Sequence, residues 1–210
     1  QLFCNQTLSA TYHDIIKDRL YTLSPDDPKR RSSQTVLYRS LDMLIRLLHP
    51  ILPFTSDEAY AYLSNDEDFT EAFAAELDWP AKASASWRFP DEHGAISQLL
   101  RFKAEHINDK LEKIRSEKVI GQSLDASVRI SDDGEQGLLA LLQRYEEDLP
   151  ELFIVSRVEV VNGDNRIDVA HAPGIRCPRS WRWVPELVAT EHWGEVSPRD
   201  KEVHDHLFSE

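Results

Sequence analysis

The stretch of this chain best equipped for chemistry is GIRCPRSWRW, residues 174–183. Arg176, Arg179 and Arg182 alternate there with Trp181 and Trp183, and no acidic residue falls between 176 and 183. Guanidinium pairs with phosphate, and indole stacks on unpaired bases at about 1–3 kcal/mol per stack. The same composition also serves a purely structural end. One tryptophan can fill a small core while the arginines pair with Glu186, Glu191 or Glu195. On composition alone that structural reading is the stronger. A second basic cluster, Lys29-Arg30-Arg31, sits where a helix should begin, and the macrodipole disfavours cations there. Charge placed against local preference hints at an anionic partner, although plain surface charge explains it more simply.

These residues need elements to hold them. Residues 1–23 place Leu8, Tyr12, Ile15, Ile16, Leu20 and Leu23 on one helical stripe, a pattern that takes in Gln1. After Pro25-Asp26-Asp27-Pro28, Asp27 can cap a second helix with Pro28 at its first position. That helix runs into LDMLIRLLHPILPFTSDEAYAYL, residues 41–63. Leu41, Leu44, Ile45, Leu47 and Leu48 make it apolar around most of its circumference, so burial on more than one side is expected. Pro50 and Pro53 form a corner, and Thr55 with Glu58 reads as a capping box for a third helix. Residues 64–93 read as a long, acidic loop including Glu67, pinned by Trp79 and Trp87. Residues 94–118 are helical again, ended by Gly121. Alternation at Leu124, Ala126, Val128 and Ile130 predicts a strand, followed by a helix at 138–145 and strands near 158–160 and 167–169. The expected fold is mainly α, a helical bundle over 1–121 followed by a small α+β domain over 122–210.

The balance of 24 basic and 37 acidic side chains gives a net charge of −13, so nucleic-acid binding must rest on local patches. Cys4 and Cys177 suggest neither a disulfide framework nor a cysteine metal site. No apolar run reaches the ~20 residues of a membrane span, and a cytoplasmic protein without membrane partners is expected. With no initiator Met and a helix already under way, the chain reads as a piece of a longer one.

FCNQTLSATYHDIIKDRLY, then RRSSQTVLYRSLDMLIRLLHPILPFTSDEAYAYL, and later KLEKIRSEKVIGQSLDASVRI with Phe153-Ile154-Val155-Ser156 resemble the bacterial isoleucyl-tRNA synthetase family. Asp78-Trp79-Pro80 match a family segment as well. The resemblance implies an anticodon-binding helical bundle leading into a small C-terminal domain. It implies a parent enzyme that ligates isoleucine to its tRNA with ATP and magnesium. The family's His-Ile-Gly-His and Lys-Met-Ser-Lys-Ser signatures and its editing domain are absent from this stretch, so the chain alone is expected to be inactive. The implied partners are the tRNA anticodon stem-loop and the catalytic and editing domains. A long helix precedes this segment in the family; without it an apolar bundle face is expected to be exposed, open to non-native association.

The family commonly carries two Cys-x-x-Cys-like pairs near the C-terminus, which hold tetrahedral zinc. Here Cys177 and Arg179 remain, Ser180 replaces one cysteine, and Ser197 and Asp200 match the second pair. One thiol, two hydroxyls and one carboxylate are poor zinc donors, and zinc is not expected, although His192, His204 and His206 are possible substitutes. In the family the arginine and tryptophan of this motif face the anticodon, and Arg179 and Trp181 occupy those positions. They are expected at the surface, facing the basic end near Lys29, Arg30 and Arg31. Two other readings stand: a structural or protein-interaction module that has lost RNA binding, and the equivalent domain of a valyl or leucyl enzyme.

Overall fold

The computed structural model describes residues 2–209 apart from 67, 69, 70, 72, 82–86 and 136. The helical position of Gln1, Glu67 and part of the 64–93 loop therefore lie outside the described residues. The chain forms two compact units, Gln1–Ser24 with Phe89–Glu210, and Pro25–Arg88. Mainly helical segments precede a small α+β region, as expected for the fold class.

In the larger unit a π-helical segment, Phe3–His13, runs into α1, Asp14–Thr22. Helix α4, Pro90–Phe102, continues through a π turn, Lys103–Ile107, into α5, Asn108–Ser116. Strand β1, Ala126–Asp132, buries alternate residues as its sequence demands. Two short helices, α6 (Leu138–Arg144) and α7 (Leu149–Phe153), lead to β2 (Arg157–Asn162), which lies parallel to β1. Strand β3, Arg166–His171, returns antiparallel along the other edge of β1, giving the order β2-β1-β3. Leu99, Phe102, Ile107 and Leu111 of the long helix share one core with Val128, Ile130, Leu142, Phe153 and Val155. The long helix therefore packs on the sheet, and residues on both sides of position 121 belong to one unit.

Helix α1 belongs to this unit as well. Arg19 forms a two-pronged ion pair with Glu151 of α7, its Nη2 lying 2.9 Å from Oε2. Helix α5 ends earlier than Gly121. Lys118 takes a left-handed φ of 60°. Val119 N donates to Ile114 O at 2.9 Å, and Lys118 N to Arg115 O at 3.0 Å, a Schellman close. Gly121 instead donates its N–H to Asp125 Oδ2 at 3.0 Å, so its place is in the following turn.

The unit Pro25–Arg88 contains α2, Pro28–Leu48, and α3, Pro53–Ser64. Asp27 caps α2 as expected, accepting from Lys29 N at 2.8 Å and Arg30 N at 3.2 Å. The capping box at Thr55 does not form. Pro53 already occupies the first helical turn, so the helix starts before Thr55 and places that residue within it. Burial of α2 on several sides does not occur either. Within this unit it packs against α3 and the short turn Ala74–Glu76, and of its apolar positions Ile45 is buried while Leu41, Met43, Leu47 and Leu48 stay exposed. Ile51 and Phe54 at the proline corner are 75% and 88% exposed. Trp79 is no anchor, being 67% exposed; the segment is held by its backbone, where Arg46 Nη1 donates to Asp78 O at 3.1 Å. Trp87 lies half-exposed beneath Arg39, whose Cζ is 5.6 Å from the ring centre.

Candidate nucleic-acid interface

Two small hairpins and a helix complete the larger unit. Strand β4, Ile175–Arg176, pairs with β5, Trp183–Val184. Strand β6, Val188–Thr190, pairs with β7, Gly194–Val196, and α8, Pro198–Phe208, follows. Only glycine can open the first hairpin. Gly174 has φ +108°, and a Cβ there would stand 2.2 Å from Val184 O. The turn is closed by Cys177 N to Arg182 O at 2.8 Å and Trp181 N to Cys177 O at 2.9 Å.

This turn separates the arginine–tryptophan stretch into inward and outward members. Trp181 is outward, 53% exposed, at a left-handed φ of 61° that non-glycine residues adopt at a cost. Exposed Arg176 accompanies it, its Cζ 5.3 Å from the Trp181 ring centre. Arg179 points inward. Its guanidinium lies 3.8 Å over the Trp193 ring and donates at 3.4 Å to Tyr21 O and Thr22 O at the end of α1. A cation at a helix C-terminus complements the macrodipole, so α1 explains why this arginine is drawn in.

Arg182 and Trp183 are also engaged within the protein. Arg182 Nη2 is 3.3 Å from Asp18 Oδ2, and Nη1 donates to Val155 O at 3.4 Å. Trp183 Nε1 donates to Asp125 Oδ1 at 3.0 Å, and its ring meets His171 edge-on at 4.4 Å. The carboxylates that meet Arg182 and Trp183 are thus Asp18 and Asp125, not the neighbouring glutamates considered from composition. In the other unit Lys29 and Arg31 are exposed and Arg30 half-buried on the first turn of α2.

Of the four degenerate knuckle positions, Cys177, Ser197 and Asp200 meet through hydrogen bonds. Cys177 and Asp200 are fully buried, Ser197 is 3% exposed and Ser180 8%. Cys177 Sγ donates to Asp200 Oδ2 at 3.1 Å and accepts from Ser197 N at 3.3 Å. Ser197 Oγ donates to the same Oδ2 at 2.8 Å. It also accepts from Asp200 N at 3.1 Å, which makes Ser197 the N-cap of α8 with Pro198 in its first turn. Ser180 Oγ is buried without a hydrogen-bond partner. This donor set does not fit tetrahedral zinc. It offers one thiol, already committed to Asp200, and two hydroxyls, which are not zinc donors. The histidines do not fill the gap. His204 Nε2 is 3.3 Å from His192 Nδ1, its Nδ1 is 3.0 Å from Asp205, and both rings lie against Phe208. Among the described residues no group of three or more His, Cys, Asp or Glu is arranged to hold a metal ion.

Behind the cluster lies a charge chain. Arg199 binds Asp18 through Nη1–Oδ2 at 2.6 Å and Nη2–Oδ1 at 3.0 Å, reaches Thr22 Oγ1 at 3.1 Å, and touches Asp200 Oδ1 at 3.3 Å. Burial alone would raise the Asp18 carboxyl, but Arg199, Arg182 and Thr22 outweigh it and hold the group below its ordinary value. Burial likewise works against the Arg199 charge, and the two carboxylates more than offset it, raising the guanidinium above its ordinary value. Asp18, Arg199 and Trp193 were not singled out from sequence. Asp18 and Arg199 stand 181 positions apart, so no local pattern joins them.

Helices leading into a small sheet and two short hairpins are the frame that carries the arginine–tryptophan turn. A profile described as the anticodon-binding domain of tRNA ligase matches residues 1–130, and the chain belongs to that family. It is similar to isoleucine–tRNA ligases: 39% identical over 208 residues to that of Carboxydothermus hydrogenoformans and 37% over 208 residues to that of Fervidobacterium nodosum. The isoleucine–tRNA ligase of Geobacter sulfurreducens is 36% identical over 211 residues. Each match covers 94% of this chain, which spans 22% of the length of those relatives.

Proposed function

We propose that the chain binds the anticodon stem-loop of isoleucine tRNA as part of an isoleucine–tRNA ligase. The observation that carries this reading is Trp181, an exposed indole held at a strained backbone position beside exposed Arg176. An indole offers a face to an unpaired base, and the adjacent guanidinium suits the phosphate next to it. The binding energy serves to orient a distant acceptor end on the rest of the enzyme. ATP and magnesium would be used by the catalytic domain, so this chain alone would be inactive. A cytoplasmic location goes with that role. No described helix is long and apolar enough to cross a membrane.

The inward engagement of Arg179, Arg182 and Trp183, with a net charge of −13, favours a second reading. In it the unit is an interaction module without RNA affinity. Titration with an isoleucine anticodon stem-loop at several salt concentrations separates the two. On the RNA reading, Trp181→Ala weakens binding about 5- to 150-fold, the equivalent of about 1–3 kcal/mol, and leaves the salt slope unchanged. Arg176→Ala weakens binding and flattens the slope by up to about one unit. Absence of binding by the unmodified chain at low salt would favour the interaction module.

A further inference from the structure

We infer that the paired hairpins form a metal-independent knuckle, in which the Asp200 carboxylate is the cross-link that a metal ion would otherwise provide. A metal in such a module ties two hairpins by attracting four donors to one positive centre. Here the polarity is reversed. The centre is the fully buried Asp200 carboxylate at the start of α8, and the donors are drawn to it. Cys177 Sγ from the first hairpin and Ser197 Oγ from the end of the second both donate to Oδ2, at 3.1 and 2.8 Å. Oδ1 faces Arg199 Nη2 at 3.3 Å. A buried carboxylate is costly unless its lone pairs are met, and hydrogen bonds to an ionised acceptor are roughly twice as strong as neutral ones.

The arrangement differs from a metal centre in one decisive respect. Four metal ligands are equivalent in kind, and loss of any one opens the site. Here three of the positions are joined, and Ser180 Oγ is buried without a hydrogen-bond partner. The cross-link also extends outward. Arg199 carries it to Asp18 and Thr22, so the same carboxylate fastens α1 to the hairpins. This inference does not depend on RNA binding.

The test uses the whole chain, with elemental analysis and thermal melts with and without a strong chelator. The expected result is substoichiometric zinc and a Tm unmoved by the chelator. Asp200→Ala should lower the Tm by roughly 5 °C or more, because it strands the Cys177 and Ser197 donors. Ser180→Ala should leave the Tm unchanged or slightly raised, since it removes an unmet buried hydroxyl. Ser180→Ala also keeps the inference testable if Asp200→Ala fails to fold. A triple replacement, S180C with S197C and D200C, should take up one zinc per chain if the carboxylate stands where a metal would. One zinc per unmodified chain with a chelator-sensitive Tm would overturn the inference. So would a Tm loss in Ser180→Ala as large as that in Asp200→Ala, or a triple variant that takes up no zinc.

Discussion

Arg199 and Asp18 meet through two hydrogen bonds, Nη1 to Oδ2 at 2.6 Å and Nη2 to Oδ1 at 3.0 Å, although 181 positions separate them. Asp18 lies in the middle of α1 and Arg199 in the first turn of α8, so this pair ties the beginning of the larger unit to its end. The side chain of Asp18 is 20% exposed and that of Arg199 37%, so water screens the pair only in part. Arg199→Ala leaves Asp18 with Arg182 as its remaining cation. The expected loss of stability is about 2 kcal/mol in urea unfolding. Asp18→Ala strands two arginines and should cost at least as much. A double-mutant cycle should show strong coupling between the two positions.

Arg179 was expected to face RNA, and its surroundings predict a different phenotype. Arg179→Ala removes a cation from the end of α1 and a guanidinium from the Trp193 face. Stability should fall by about 1–2 kcal/mol, while the salt slope of any RNA binding stays as in the unmodified protein. Paired urea-unfolding and salt-titration measurements check this. A flattened slope with unchanged stability would return Arg179 to the RNA surface.

Lys118 ends α5 at φ 60°, a position where a Cβ is a liability. Lys118→Gly keeps both closing hydrogen bonds and relieves the left-handed strain. It should raise stability by about 0.5–1 kcal/mol, read as a higher urea midpoint at unchanged slope.

Asp125 supplies an acid-sensitive element. Burial alone would raise its carboxyl, but hydrogen bonds from Trp183 Nε1, Gln122 N and Gly121 N hold it below the ordinary value of 3.8. A carboxyl whose folded value is lowered binds protons more readily in the unfolded chain. Its contribution is therefore full above the ordinary value and is lost as the pH falls below it towards the depressed folded value. Asp125→Asn should be less stable than the parent at neutral pH, with the difference shrinking in acid below about pH 4. A stability difference that stays constant from pH 7 into this range would show that the carboxylate charge plays no part.

Local order alone specified much of this molecule. The Asp27 cap, the proline corner and the alternation of β1 were all legible in the sequence. Caps, turns and alternation depend on neighbours within a few residues. Three things were decided only in the tertiary structure. The first is that α4 and α5 pack on the sheet, because Ile107, Leu111 and Val128 can share a core only after the chain has turned back. The second is the exposure of α2, since an apolar stripe states what a helix can bury and not what will cover it. The third is the orientation of the arginines and tryptophans. Arg176, Arg179 and Arg182 are equivalent in composition, yet the end of α1 and Asp18 draw two of them inward and leave Arg176 beside Trp181. Which guanidinium meets solvent depends on carboxylates and carbonyls far away in sequence, and no local spacing encodes them.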